Sequence, residues 1–308
     1  MTRAFDSEQS FVQWIEHLVD QNTNLLGHNE DAVAIKISTN EYMVLNIDGW
    51  VASTDLPPGI DLFQAGYRAV ANSLSDVIAK GAKPEGMIIS VSLSDNYQSQ
   101  LQDLLNGFSQ ASKDFSTFYL GGDMNSSTDL VIDVTAWGKC NHLIKRAGAN
   151  IGDIVYWLGP DLGCTAAALG ILIKQWSGDR NMAIEVMGHP QLFPEFLDIS
   201  STAATDSSDG LARSLYHIST ASKVAIELYD FQTIGQSIPQ WIREVSQMNQ
   251  VDLLDLILFG GEELGIVFTA NSKTNVPNTA FPIGTVSEGS GVRISGELIE
   301  NKGWDHFS

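Results

Sequence analysis

The residues of this 308-residue chain that are best suited to chemistry are carboxylates that stand beside glycine, serine or asparagine. Small neighbours of this kind are typical of turns and of helix and strand ends, so these acids are predicted to lie on loops. A single segment of this type is usually only a cap or a turn. The presence of several such segments in one chain is what indicates a shared site. The segments are Glu30-Asp31, Asp48, Ser75-Asp76, Gly121-Gly122-Asp123, Asp206-Ser207-Ser208-Asp209-Gly210 and Gly260-Gly261-Glu262-Glu263.

Carboxylates that gather at one site need a cation. Two of them about 4 Å apart repel by about 4 kcal/mol at an effective dielectric constant of about 20. Their hard oxygen atoms suit Mg²⁺, which takes one or two carboxylates and completes its shell with water and substrate phosphates. Neighbouring glycines let a phosphate approach the backbone N–H groups. The pattern predicts a magnesium and phosphate site built from several loops, although sequence spacing alone does not bring those loops together.

Other phosphate-binding and catalytic signatures are missing from the sequence. It contains no GxxxxGK[ST], no GxGxxG after a predicted strand, no HExxH and no GxSxG. A P-loop kinase is thereby excluded. We therefore expect an enzyme that handles phosphate groups with magnesium and scattered aspartates, and not with a P-loop.

The charge of the chain bounds its partners. There are 17 Lys plus Arg against 37 Asp plus Glu, which gives a formal net charge of −20. A surface this negative repels nucleic acid and anionic lipid, so neither is expected as a main partner. An anionic substrate would need metal cations in order to bind.

The compartment is predicted to be the cytoplasm. The N-terminus has no apolar stretch typical of a secretory signal, and the longest nearly apolar run, residues 163–173, is too short to span a bilayer. The two cysteines, Cys140 and Cys164, form no CxxC motif. We expect both thiols to be reduced, buried and inert.

Apolar periodicity predicts an α+β protein of two domains, because strands and helices interleave without a regular βαβ repeat. An amphipathic helix is predicted around Phe11 to Val19, with Ser7 as its N-cap. We place the domain boundary near residue 144, which gives domains 1–144 and 145–308. Further predicted strands are 42–47, 87–93, 118–120, 129–139, 154–158, 224–228, 264–269 and 283–286. Further predicted helices are 64–79, one around 101–108, 165–176 and one that starts near 208.

In their order along the chain, the acidic segments resemble the thiamine-monophosphate kinase family of the aminoimidazole-ribonucleotide-synthetase-like superfamily. The resemblance spans nearly the whole chain and includes Lys80-Gly81-Ala82, Arg146-Ala147-Gly148-Ala149 with Gly152-Asp153, and the tail from Lys302 to Phe307. The segment 53–59 is more similar to the archaeal branch. The family fold implies that the N-terminal domain, 1–144, binds ATP and metal and forms a β-barrel shared across a homodimer. The C-terminal domain, 145–308, would be an α/β sandwich, with ATP in the cleft between domains.

The resemblance also implies roles for particular residues, with Mg²⁺ as cofactor and ATP as co-substrate. Asp123 and Asp209 would be catalytic, Glu262 and Trp304 would contact the thiamine moiety, and Trp304 would stack on a cationic ring. The implied metal ligands are Asp31, Asp48, Asp76, Asp123, Asp206 and Asp209. The implied ATP contacts are Gly121, Gly122, Arg146 and Ser208.

Three segments depart from the family pattern. Asn46-Ile47-Asp48 stands where the family usually has Ser-Thr-Asp, so a hydroxyl ligand is lost. Glu263-Leu264-Gly265 stands where Asp-Tyr-Glu is usual, which removes an aromatic ring and an acid near the substrate. Met124-Asn125 replaces the usual Thr-Thr after Asp123. These departures concern the substrate more than the use of ATP and metal.

The implied reaction transfers the γ-phosphoryl group of ATP to the phosphate of thiamine monophosphate. That acceptor is already largely anionic at pH 7 because its second pKa is about 6, so it needs no general base. The alternatives are a superfamily relative with another phosphate acceptor and a catalytically weak paralogue that only binds nucleotide or thiamine phosphates. A selenophosphate synthetase is disfavoured because no reactive cysteine lies near the N-terminus, and the hydrogenase-maturation relative because the tail has no cysteine.

Overall fold

Two β-sheets organise the chain in the computed structural model, which describes residues 23–27 and 29–304. The first sheet comes from the N-terminal half and has the order β1-β2-β5-β3-β4. Neighbouring strands are antiparallel except β3 and β4, which are parallel. The strands are β1 (Val33–Ser38), β2 (Glu41–Val51), β3 (Lys83–Leu93), β4 (Tyr119–Ser126) and β5 (Val131–Cys140).

Helices cover one face of this sheet. Among the described residues of this half, the helices are α1 (Ala52–Asp55), α2 (Leu62–Ala79) and α3 (Leu101–Asp114), and a 3₁₀ segment covers Asp95–Gln100. A capping box between Asp61 and Gln64 starts α2. Gly107 lets α3 pack closely on α2, because a Cβ there would lie 2.1 Å from the carbonyl oxygen of Phe63. No described element covers the opposite face of the sheet, which exposes Ile47 and Ile88 and which we call the uncovered face.

The second sheet has the order β12-β11-β8-β10-β6-β9-β7. Its strands are β6 (Ile154–Leu158), β7 (Ala203–Ser207), β8 (Ala225–Leu228), β9 (Gly265–Ala270), β10 (Phe281–Ser287), β11 (Gly291–Ile294) and β12 (Glu297–Leu298). Its helices are α4 (Cys164–Leu172), α5 (Arg180–Gly188), α6 (Leu211–Ser222), α7 (Phe231–Gly235), α8 (Gln240–Asn249) and α9 (Leu253–Phe259), and a second 3₁₀ segment covers Pro194–Asp198.

Helix α2 joins the two halves because it packs against both sheets. Leu74 and Val77 belong to the core of the first sheet. Ile78 packs with Phe196 and Phe268, in a cluster that includes strands of the second sheet. The helix is therefore buried along most of its length, and its packing against both cores forms the junction between the sheets. Ser75 and Asp76 lie at that junction, opposite β7.

The predicted α+β class is confirmed, and each of the eight predicted strands overlaps an observed one. Strands β1, β7, β11 and β12 were not predicted. Two motifs lie elsewhere than predicted: Asp48 is inside β2 and not at its end, and Gly121-Gly122-Asp123 is inside β4. The prediction of a helix over 165–176 was wrong at its end. Helix α4 stops at Leu172, Gln175 has a φ of 58°, and Trp176 folds back so that its N–H donates to the Gly170 carbonyl.

Some predictions stay open. The helix around Phe11 to Val19 and the tail residues Asp305 to Phe307 lie outside the described residues. The boundary near residue 144 falls between β5 and β6 and remains a prediction. Within the described part of the chain, no helix has the length and apolar character that crossing a membrane would require.

Candidate active site

Three carboxylates from distant parts of the chain converge where α2 meets the second sheet. Asp31 precedes β1, Asp76 lies near the end of α2, and Asp206 lies on β7. Each offers one oxygen atom, and these atoms lie within 4.8 Å of one another. We call these three residues the acid cluster. The sequence pattern predicted that acidic segments would meet at one site, and the structure shows that these three do.

Two buried cations partly balance the acid cluster. The Arg146 guanidinium donates to the Asp31 carboxylate, and its Nε donates to Thr205 Oγ1 at 3.2 Å. Lys80 is fully buried, with its Nζ 2.5 Å from Glu30 Oε2 and 3.8 Å from Asp31 Oδ2. Burial raises the pKa of Asp31, but the charges of Arg146 and Lys80 outweigh it and lower that pKa to about 2. Asp31 is therefore ionised at neutral pH.

The other two acids of the cluster have raised pKa values. Burial, and then the neighbouring charge of Asp31, raise the pKa of Asp206 to about 6. Burial and the charge of Asp206 raise the pKa of Asp76 well above its ordinary value. Four carboxyl groups, counting Glu30, share two cations here, so the site carries more acid than its own bases neutralise. An added cation would therefore lower the free energy of this site.

Asn46 is one of the departures from the family pattern, and the structure gives it a partner. Its Nδ2 donates to Asp76 Oδ2 at 2.6 Å, while its Oδ1 accepts from Ser73 Oγ at 2.6 Å. The amide thus orients Asp76 from β2. At position 46 the Asn46 amide therefore stands in place of the usual hydroxyl group, and it acts by holding the Asp76 carboxylate.

Asp48 faces the same junction from β2. Burial raises its pKa to about 7, and the charges of Glu262 and Asp206 contribute in the same direction. Asp48 is therefore close enough to both the acid cluster and the Glu262 segment to sense their charge. Asp48 thus lies at the margin of the acid cluster, and its role as a metal ligand stays a prediction.

Asp209 lies in the turn that precedes α6, next to the C-terminal segment. Gly210 has a φ of 107°, and a Cβ there would lie 1.9 Å from the Gly260 carbonyl oxygen, so only glycine fits this turn. The Trp304 N–H donates to the Asp209 carbonyl at 3.1 Å. The turn thus brings Asp209 and Trp304 together. Trp304 is 54% exposed.

Residues 260–264, which we call the substrate-side loop, dock onto the same turn. The Glu262 N–H donates to the Ser208 carbonyl at 2.6 Å, and the Leu264 N–H donates to the Ser207 carbonyl at 3.2 Å. The Glu262 carboxylate receives hydrogen bonds from Arg68 on α2. Glu263 points into the interior instead, where its Oε1 accepts from the Gly163 N–H at 3.2 Å and burial raises its pKa to about 8.

The segment Gly121-Gly122-Asp123 is not brought to the acid cluster within this chain. Gly122 pairs with Ile89, and a Cβ there would lie 1.7 Å from the Ile89 carbonyl oxygen, so close strand packing explains this glycine. Asp123 pairs with Ser90, which pairs with Asp133, and paired residues share a face of a sheet. Asp123 therefore lies on the uncovered face of the first sheet, opposite the face that carries Asp48.

Sequence reasoning assigned no role to three residues of the site: Arg68, Lys80 and Thr205. Lys80 belonged to a recognised motif but was given no contact. A signal existed for the two cations, because Arg68 and Lys80 are the two basic residues of the mostly apolar and small-residue stretch 65–82. Charged side chains are rarely buried without a partner, and each here has a carboxylate.

Comparisons with known proteins define the class first. Residues 29–140 match the family described as AIR synthase related protein, N-terminal domain. The whole fold superposes on the structure of AaThiL complexed with AMPPCP and TMP with a TM-score of 0.87, at 23% identity, and covers 98% of this chain and 97% of that one. The protein therefore has the two-sheet fold of this class.

Sequence similarity then defines the family. The chain is 31% identical to the thiamine-monophosphate kinase of Nitrosopumilus maritimus, over 91% of this chain and 93% of that protein. It is 30% identical to the thiamine-monophosphate kinase of Archaeoglobus fulgidus, over 97% and 98% of the two chains. The chain belongs to the thiamine-monophosphate kinase family, which is a family of ATP-dependent kinases.

Proposed function

We propose that this protein transfers the γ-phosphoryl group of ATP to thiamine monophosphate, giving thiamine diphosphate and ADP. Its family membership supports the reaction. The observation that carries the proposal is the convergence of Asp31, Asp76 and Asp206 at the junction of the two sheets.

The donor set fits Mg²⁺. The acid cluster offers three hard oxygen atoms in a space of metal-site size, and its carboxylates outnumber the cations around them. Asp31, Asp76 and Asp206 would hold the metal, with Asp48 and Asp209 at the margins. A bound Mg²⁺ would neutralise charge on the phosphates of ATP and of the acceptor and reduce their mutual repulsion.

The residues of the chain itself position the reactants. Arg146 and Thr205 fix Asp31, while Asn46 fixes Asp76, so the carboxylates are held before any substrate arrives. The turn at Ser208 presents backbone N–H groups just ahead of α6, where an anion such as an ATP phosphate is favoured. No general base is needed, because the acceptor phosphate is already ionised.

The thiamine moiety would lie on the other side of Asp209. Trp304 is held there by its backbone hydrogen bond, the residue is exposed, and its ring would stack on the cationic thiazolium. Glu262 supplies a carboxylate on the same side. Both residues contact the turn at 208–209, so the acceptor and the metal-binding acids would be within reach of one another.

We further propose that the protein is a homodimer in which the partner completes the site. The uncovered face of the first sheet places Ile47 and Ile88 in one cross-strand row, 68% and 46% exposed, and a second copy would cover them. Strands β1 and β4 are the two edges of that sheet. Closing two such sheets into one barrel would bring the β4 edge of one copy beside the β1 edge of the other. Asp31 lies two residues before β1, so the partner's Asp123 would approach the acid cluster.

Mixing two inactive variants tests this arrangement. Asp123→Asn and Asp209→Asn should each be inactive alone. When the two chains are co-expressed, half of the dimers are mixed, and each mixed dimer has one intact site if Asp123 acts in the partner. About a quarter of wild-type activity should therefore return. Activity that stays at the level of the single variants would place Asp123 in its own chain's site.

The remaining features fit a cytoplasmic enzyme with small-molecule substrates. Cys140 and Cys164 are free and buried, and burial raises the pKa of Cys140 to about 11. Neither thiol is therefore reactive, which agrees with a reducing compartment. The net charge of −20 disfavours nucleic acid and anionic membranes as partners.

Turnover decides between the kinase and a protein that only binds these ligands. The protein is incubated with Mg-ATP and thiamine monophosphate, and thiamine diphosphate and ADP are measured together. We expect both products in equal amounts. Formation of ADP alone would point to another acceptor, and binding without any product would establish the non-catalytic alternative. Glu263 gives that alternative little support, because this altered residue points away from the cleft and contacts Gly163.

A further inference from the structure

Arg68 is a buried arginine on α2 whose contacts reach the other half of the protein. The residue is 4% exposed. Its Nε and Nη2 donate to Glu262 Oε2 at 3.1 and 2.6 Å, and Nη2 also donates to the Glu262 carbonyl at 2.7 Å. Its Nη1 donates to the Met187 carbonyl at the end of α5, at 3.0 Å. One guanidinium thus joins α2, α5 and the substrate-side loop.

The conformation of Glu262 depends on this contact. Glu262 has a φ of 68°, in the left-handed region that residues other than glycine rarely adopt. This backbone conformation turns both the carbonyl and the carboxylate of the same residue toward one guanidinium. The hydrogen bonds to a charged donor offset the cost of the unusual backbone.

The arrangement leaves half of the Glu262 carboxylate free. The hydrogen bonds from Arg68 to the carboxylate end on Oε2, whereas Oε1 receives no hydrogen bond from the described residues. The Glu262 side chain is 42% exposed, although Arg68 is buried. Oε1 is therefore held in a fixed direction and remains accessible from the cleft.

We propose that Arg68 is a positioning residue for thiamine monophosphate. It anchors Glu262 through Oε2 so that Oε1 faces the thiamine moiety, as an acceptor for an N–H group or as a countercharge for the cationic ring. It also balances the charge of Glu262, which would otherwise add to the repulsion felt by the acceptor phosphate. This inference rests on the proposed kinase function.

The test separates binding of the two substrates. Arg68→Met removes two charged hydrogen bonds to Glu262 Oε2, so we expect KM for thiamine monophosphate to rise about tenfold or more. KM for ATP should stay within about twofold of wild type, because the hydrogen bonds of Arg68 within the described residues go to Glu262 and Met187 and not to the acid cluster. Arg68→Lys should give an intermediate KM for thiamine monophosphate, since one ammonium can reach Oε2 but cannot also hold the carbonyl.

The controls keep the inference falsifiable. Arg293→Met removes an arginine of β11 whose guanidinium donates to the Ser290 carbonyl at 2.8 Å and to no other described residue, and both KM values should be unchanged. If Arg68→Met fails to fold, Arg68→Lys decides through the same KM comparison. Adding Glu262→Gln to the Arg68 variant should cost much less than adding it to wild type, because the two residues act as one unit.

Two results would overturn the inference, and a third concerns the proposed function alone. Equal increases in both KM values would make Arg68 a purely structural residue, and an unchanged KM for thiamine monophosphate would remove any role in acceptor binding. A wild-type protein that makes no thiamine diphosphate would instead refute the kinase function. The wild-type assay therefore comes first.

Discussion

The acid cluster and the substrate-side loop are both acidic, and both lie at the junction of the sheets, yet their charge balance differs. In the acid cluster, three aspartates and Glu30 share Arg146 and Lys80, and two of the aspartates have raised pKa values. In the substrate-side loop, the partly exposed carboxylate of Glu262 forms an ion pair with Arg68.

This difference separates two uses of a buried cation. Where carboxylates outnumber cations, the site is unfavourable until another cation binds, which suits a metal-dependent step. Where one guanidinium meets one carboxylate, the charge is balanced, and the pair fixes a direction for hydrogen bonding. The acid cluster is therefore suited to metal and phosphate, and the substrate-side loop to orientation of the organic part of the acceptor.

The largest expected effect is on turnover. Asp206→Asn should lower kcat by at least about 100-fold, because the acid cluster loses a ligand charge needed for metal-assisted transfer. The fold should remain intact, as judged by circular dichroism and thermal unfolding, since the amide keeps the size of the side chain. Asp103→Asn, at an exposed position of α3, is the matched control and should retain full activity. An Asp206→Asn variant with near-normal turnover would remove the acid cluster from the mechanism.

The next effect is on stability and compares the two buried cations. Lys80→Met leaves Glu30 buried without its partner, which should cost about 3–5 kcal/mol in the free energy of unfolding. Arg68→Met should cost less, because the Glu262 side chain is 42% exposed and can be solvated by water. Urea unfolding of both variants measures the difference. Equal losses would mean that solvent access does not distinguish the two regions.

A smaller effect separates the regions through metal binding. Mg²⁺ that binds only the folded protein should raise its stability by about 2.7 kcal/mol at a concentration one hundred times Kd, and a chelator should reverse the shift. Asp206→Asn should lose most of this stabilisation, whereas Glu262→Gln should keep it. Thermal unfolding with and without Mg²⁺ provides the measurement. The same loss in both variants would contradict the assignment of metal to the acid cluster alone.

Much of this site could be predicted from the sequence, and the reasons for success and failure differ by residue. Asp31, Asp76 and Asp206 stand in short polar segments between apolar stretches, so the sequence alone identified them as candidate site residues. The partners Arg68 and Lys80 could not be assigned, because only the packing of α2 between two sheets decides which carboxylates they meet. The face of Asp123 depends on strand register and on the bulge between Met87 and Ile89, which spacing along the chain does not reveal.

The last prediction concerns Glu263, the buried neighbour of Glu262. Burial raises its pKa to about 8 in the folded protein, above the ordinary value of 4.5. From about pH 4.5 upward the unfolded chain ionises at Glu263 while the folded chain stays protonated, so wild type loses stability progressively up to about pH 8. Glu263→Gln cannot ionise and should therefore gain stability relative to wild type across this range, with little difference near pH 4.5. Its Oε1 can still accept from the Gly163 N–H. The free energy of unfolding of both proteins is measured at several pH values. The contributions of the other acids are the same in both proteins and cancel in the difference. A difference that does not change with pH would show that Glu263 ionises normally in the fold, and that its role beside Glu262 is packing alone.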